Sequence, residues 1–129
     1  MNPAYSRILV VEDENAIANL LRRYLEVEGF DVHIESCGES ALSYAAEHRP
    51  DLVLLDLQLP DLHGYEVCKA LRALYHAWTL PIIMLTGMDA PLDRLRGYAY
   101  GADAYLTKPF EPPALLPMIT LLLGKAAEA

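Results

Sequence analysis

Ile8-Leu9-Val10-Val11-Glu12-Asp13-Glu14 is the stretch on which the fold turns: an apolar, mostly β-branched run meets three consecutive acids with no polar alternation before them. A strand buried on both faces has this pattern, whereas a half-exposed strand alternates apolar and polar side chains. The event recurs at Leu52-Val53-Leu54-Leu55, which runs into Asp56, and at Pro81-Ile82-Ile83-Met84-Leu85, which stops at Thr86-Gly87. Residues 30–34 and Ala104-Tyr105-Leu106-Thr107 read as two further strands. From Asn15, the apolar residues Ile17, Leu20, Leu21, Tyr24 and Leu25 recur at helical spacing until Gly29 stops the helix. Helices are predicted again over 40–48, 65–74, 92–100 and 113–123. Turn chemistry falls at 60–64 and at Gly101-Ala102-Asp103.

Strands that alternate with helices of this length predict an α/β fold, with one parallel sheet and helices on both faces. In such sheets ligands sit at the carboxyl ends of the strands. Strand one ends in Glu12 and Asp13, strand three in Asp56, strand four in Thr86, and strand five is followed by Lys108-Pro109. Brought to one edge, three carboxylates repel strongly unless a cation sits among them. Mg²⁺ suits the set, because it takes oxygen ligands and commonly combines one or two carboxylates with a phosphate. Glu14, one position further on, reads as a solvated loop acid or an acceptor at the next helix start.

With 129 residues the chain is long enough for one self-sufficient domain. The net charge of −8 argues against direct nucleic-acid binding, which needs a basic face. Cys37 and Cys68 lie too far apart for a metal or redox pair and read as buried or half-buried thiols of a reducing compartment. No signal-peptide pattern opens the sequence, and every apolar run is shorter than the ~20 residues that span a bilayer. The expectation is a soluble cytoplasmic protein with no membrane contact.

Together, Val10-Val11-Glu12-Asp13-Glu14, the run from Leu55-Asp56 through Leu59-Pro60-Asp61 and His63-Gly64 to Cys68, Met84-Leu85-Thr86-Gly87, and Gly101-Ala102-Asp103-Ala104-Tyr105-Leu106-Thr107-Lys108-Pro109-Phe110 resemble the receiver domain of two-component response regulators, the CheY-like family. The likeness covers nearly the whole chain, in order. It implies a flavodoxin-like, doubly wound five-stranded sheet of order 2-1-3-4-5, a receiver domain over 1–129, and no output domain within the chain.

The resemblance also implies roles. Asp56 would be the phosphoacceptor, charged by a sensor histidine kinase, a phosphotransfer protein or a small acyl phosphate. Asp13, Asp56 and the backbone carbonyl of Gln58 would hold Mg²⁺, or Mn²⁺ in its place, with Glu12 acting through water. Lys108 and Thr86 would meet phosphoryl oxygens, with Gly87 leaving room for the group. Pro109 would be a cis proline that aims Lys108 inward. Thr86 and Tyr105 would form the switch, Tyr105 rotating inward as Thr86 moves toward the phosphate and changing the surface made by the fourth helix, last strand and last helix. Gln58 and Met88 would tune the phosphoryl lifetime, Met88 making self-dephosphorylation slow. Such a chain catalyses only its own phosphorylation and dephosphorylation.

Residues 113–123 depart from a one-faced helix. Pro112, Pro113 and Pro117 crowd the start, so Pro117 should kink it or delay its beginning. Leu115, Leu116, Met118, Ile119, Leu121, Leu122 and Leu123 leave few polar positions. The favoured reading is an apolar face for a homodimer or a downstream partner; the other is packing against a fused output domain. Competing functions are a degenerate receiver that only binds partners, an FMN carrier, and a haloacid dehalogenase-like phosphohydrolase. Glu12-Asp13-Glu14 would repel the FMN phosphate, and the hydrolase would carry a second acid where Gln58 stands.

Overall fold

The strands β1 (Arg7–Val11), β2 (Asp31–Glu35), β3 (Leu52–Asp56), β4 (Ile82–Thr86) and β5 (Ala104–Thr107) form one parallel sheet in the order β2-β1-β3-β4-β5. The computed structural model describes residues 6–128 apart from 77–78 and 88–90, and the backbone alone at 91–94, 125 and 127–128. Met88 therefore lies outside the described residues. The helices are α1 (Asn15–Val27), α2 (Gly38–Glu47), α3 (Gly64–Leu74), α4 (Pro91–Ala99) and α5 (Leu115–Glu128).

Every residue of β3 and β4 is buried, which accounts for their unbroken apolar sequence: both faces of the central strands are covered. One core layer joins Leu9, Val11, Val53 and Leu55 to Ala41 and Ala45 of α2 and to Val67, Cys68 and Leu71 of α3. The other joins Ile8, Val10, Leu52 and Leu54 to Leu21 and Leu25 of α1 and to Leu115 and Ile119 of α5. Each fully buried Leu or Ile contributes roughly 1.5–3 kcal/mol, so the alternation of these two sets along β1 and β3 fixes which helix covers which face. Among the described residues no helix is long and apolar enough to cross a membrane.

Two boundaries differ from the sequence reading for a physical reason. Helix α2 begins at Gly38 instead of Ser40, because the Asp61 carboxylate accepts from the backbone N–H groups of Gly38 at 2.7 Å and Glu39 at 2.8 Å. A helix start so satisfied needs no capping side chain of its own, and Cys37 at the cap position supplies none. Helix α5 begins at Leu115, after a 3-10 turn over Pro112–Ala114. Pro117 then falls in the first turn, where its missing N–H has no intrahelical acceptor to lose.

The apolar excess of α5 is mostly absorbed by the sheet. Leu115, Ile119 and Leu123 are buried, while Leu116, Met118 and Leu122 pack partly against the same layer. Leu121 remains 59% exposed. The helix thus has an inward face at ordinary helical spacing, and an outward apolar residue where a polar one would be usual.

Candidate functional site

The in-register pairing of β1 with β3 and of β3 with β4 carries the ends of these strands to one edge. Glu12 follows β1 and is 1% exposed, while Asp56 closes β3 and is 5% exposed. Each of Glu12, Asp13 and Asp56 offers a carboxylate oxygen, and these oxygens lie within 4.8 Å of one another. Asp13 is the exposed member, which leaves the cluster open to solvent on one side. Three acids so close are tolerable only with positive charge between or beside them. Among the described residues they are the group that could hold a metal ion, and an all-oxygen donor set suits Mg²⁺ or Mn²⁺ better than softer metals.

Lys108 supplies the protein's own positive charge. Its Nζ donates to Glu12 Oε1 at 2.7 Å and lies 3.4 Å from Asp56 Oδ1. The β4–β5 ladder runs into this residue, whose backbone N–H donates to the Thr86 carbonyl at 2.6 Å. The Lys108–Pro109 peptide bond is cis. Burial pushes the Glu12 carboxyl up to about 7, aided by the charge of Asp56 and opposed by the Lys108 hydrogen bond and the Glu14 backbone N–H. Burial pulls the Lys108 ammonium down, but its hydrogen bond to Glu12 and the charges of Asp56 and Glu12 more than offset this, so its pKa stands above the ordinary lysine value.

Thr86 ends β4 at the same edge, pairs in register with Thr107, and is 1% exposed. Gly87 is exposed, and among the described residues a Cβ built there would meet nothing within 4 Å. Gln58 presents its backbone to the acids: its N–H donates to Asp56 Oδ1 at 3.4 Å. Tyr105 sits two residues below Thr107 on β5, with its ring turned inward and only 6% exposed. Its seat is Gly97 of α4, where an added Cβ would stand 3.3 Å from the Tyr105 ring and 3.1 Å from Met84 Sδ.

Two further residues support the site: Gly64, which closes the turn chemistry read at 60–64, and Arg72, which carries no signal in the sequence. Gly64 packs so closely that a Cβ would lie 2.5 Å from Leu57 Cα and 2.8 Å from the Asp56 carbonyl oxygen. Arg72 of α3 donates to the carbonyls of Gly101 at 2.8 Å and Leu80 at 2.6 Å and to Asp103 at 2.7 Å. Asp103 in turn accepts from the Ile82 N–H at 2.8 Å. This network fastens the turn before β5 to the start of β4. A helix arginine looks alike in sequence whether it is solvated or tied in this way, so only the fold reveals it.

Comparison with known proteins places this geometry. The family model for the response regulator receiver domain matches residues 8–120. The chain is 44% identical over 120 residues to the alkaline phosphatase synthesis transcriptional regulatory protein PhoP of Bacillus subtilis, covering 93% of this chain and 49% of that protein. It is likewise 44% identical over 120 residues to the phosphate regulon transcriptional regulatory protein PhoB of Rhizobium meliloti, covering 93% of this chain and 53% of that protein. The chain thus spans about half the length of these relatives. Among solved structures, a CheY-like receiver domain protein from Methanospirillum hungatei superposes with a TM-score of 0.90 at 31% identity, over 96% of this chain and 98% of that one.

Proposed function

The chain belongs to the response regulator receiver domain family, and from that premise we propose that it is a phosphorylation switch in which Asp56 accepts the phosphoryl group. The observation that carries this reading is the grouping of Asp56 with Glu12 and Asp13, whose carboxylate oxygens lie within 4.8 Å, beside the Lys108 ammonium at 3.4 Å. Members of this family act as signalling switches and not as turnover enzymes.

In the proposed reaction an Asp56 carboxylate oxygen attacks the phosphorus of a phosphohistidine or an acyl phosphate. A P–O bond to Asp56 forms, and the P–N or P–O bond to the donor breaks, its electron pair leaving with the imidazole or carboxylate. Transfer of this kind asks mainly for positioning and charge neutralisation. Asp13, Asp56 and the Gln58 carbonyl would hold Mg²⁺ or Mn²⁺, with Glu12 reaching it through water; the cation supplies charge neutralisation at the carboxylates and the arriving phosphoryl oxygens. Lys108 exchanges its hydrogen bond to Glu12 for one to a phosphoryl oxygen. Thr86 donates its hydroxyl to another.

The added group brings a charge of about −1.5 to −2 and three acceptor oxygens. Movement of Thr86 toward them alters the packing beside Tyr105 and Gly97, and so the surface of α4, β5 and α5, where Leu95, Tyr98 and Leu121 are exposed. We assign the upstream partner to a sensor histidine kinase or phosphotransfer protein. The downstream partner is an output region or separate protein of the transcriptional class that the relatives' names describe, acting in the cytoplasm. The test is incubation with acetyl phosphate in the presence and absence of Mg²⁺. Incorporation that requires the cation and falls in Lys108→Ala supports the mechanism; equal incorporation with Mg²⁺ chelated contradicts it.

A further inference from the structure

The segment between Asp56 and α3 is tied at three places. Its base is closed by the Gly64 N–H donating to the Leu57 carbonyl at 2.7 Å and by a bridge between Gln58 and His63. Its tip is held by Asp61, whose two carboxylate oxygens accept from Gly38 and Glu39 at the start of α2. Gly38 is pressed against the same segment, since a Cβ there would lie 3.0 Å from Leu62 Cβ. The backbone donors of Glu39, Gly38 and Leu62 hold the Asp61 carboxyl below its ordinary value, so it is ionised wherever the protein is folded near neutral pH.

We propose that Asp61 is a positioning residue for the cation site: by anchoring the loop 58–63 to the start of α2, it fixes the Gln58 backbone carbonyl next to the acid that would receive the phosphoryl group. The inference rests on the cation reading above and adds to it a residue that touches neither metal nor phosphate. The Gln58 N–H already donates to Asp56, so the peptide units on either side of Gln58 are placed by the same loop path. Without the tether only the base contacts remain, and the carbonyl pays an ordering cost each time a cation binds. Outer-sphere partners of metal ligands typically change affinity by about 10–100-fold.

Asp61 also starts α2, and that structural role must be separated from positioning. Cys37 has the extended backbone of a cap residue and no capping bond, so Cys37→Asp can satisfy the α2 donors locally without restoring the loop tether. We would titrate Mg²⁺ by calorimetry, and follow amide exchange of residues 57–63 in metal-free protein, for wild type, Asp61→Asn, Asp61→Ala and the double variant Asp61→Ala/Cys37→Asp. Asp61→Ala is expected to bind Mg²⁺ about tenfold more weakly and to exchange faster at 58–63. Asp61→Asn, which keeps one acceptor, should be intermediate and remains informative if Asp61→Ala does not fold. The double variant should regain thermal stability but not affinity. Wild-type affinity in Asp61→Asn and Asp61→Ala, or recovery of affinity on re-capping alone, would overturn the proposal. Absence of Mg²⁺ binding by wild type would overturn the cation reading and this inference with it.

Discussion

Lys108 Nζ stands 2.7 Å from Glu12 Oε1, closer than to the candidate phosphoacceptor, and Glu12 is almost wholly shielded from solvent. The lysine is thereby stored beside the site on a carboxylate whose charge burial opposes. The burial of Glu12, only partly offset by Lys108, has a pH signature. Glu12 is pushed up to about 7 from an ordinary 4.5, so folding favours its protonated form. Its stabilising contribution is full below about pH 4.5 and is lost as pH rises through about 7. In chelated buffer, the stability of wild type relative to Glu12→Gln should fall by roughly 1–3 kcal/mol across that window, measured by urea denaturation at several pH values. A pH-independent difference would contradict the assignment. Saturating Mg²⁺ at pH 8 should restore up to about 2.7 kcal/mol at 100 times its dissociation constant.

Arg72 is expected to matter for stability well beyond a surface helix residue. Arg72→Ala removes the donor to the Gly101 and Leu80 carbonyls and the guanidinium paired with Asp103. Loss of a partly buried, hydrogen-bonded pair of this kind should cost about 2–4 kcal/mol. Arg72→Lys should recover little, since an ammonium cannot span the fork. Thermal and denaturant unfolding check this; a loss below about 0.5 kcal/mol would show the network to be incidental.

Tyr105 and Gly97 form a matched pair. In Gly97→Ala, helix propensity gains up to about 1 kcal/mol while the new methyl crowds the Tyr105 ring and Met84. The two effects should nearly cancel in stability, yet the ring should leave its seat, visible as changed Tyr105 resonances. Tyr105→Ala should leave Asp56 phosphorylation intact and abolish the difference in partner affinity between phosphorylated and unphosphorylated protein. Partner binding that still responds to phosphorylation in Tyr105→Ala would remove Tyr105 from the switch.

Gly64→Ala tests how tightly the loop base is built. The methyl would collide with Leu57 Cα and the Asp56 carbonyl, both backbone atoms that cannot swing aside. A cost of about 1–3 kcal/mol is expected, with accelerated amide exchange at Asp56 and Leu57. Gly87→Ala, where no described residue lies within 4 Å of the added Cβ, should fall within about ±0.5 kcal/mol of wild type.

The sheet and its acids were legible because both depend on local pattern: Val10-Val11 and Leu54-Leu55 are apolar on consecutive positions, and Glu12 and Asp56 interrupt them at equivalent ends. What escaped was set by partners distant in sequence. The start of α2 at Gly38 depends on Asp61 from another loop, and no property of Cys37 or Gly38 announces it. The inward ring of Tyr105 depends on a missing Cβ in α4. Of the two effects expected of Pro117, a kink or a delayed start, the structure shows the delayed start, with Leu115 as the first helical residue. The β-sheet takes most of the apolar run in α5 and leaves Leu121 exposed.

Intact-mass spectrometry decides whether Asp56 receives the phosphoryl group. Wild type and Asp56→Asn would each be incubated with Mg²⁺ and acetyl phosphate and weighed at once. A single phosphoryl adduct is expected on wild type and none on Asp56→Asn. An adduct on both proteins, or on neither, would contradict that role for Asp56.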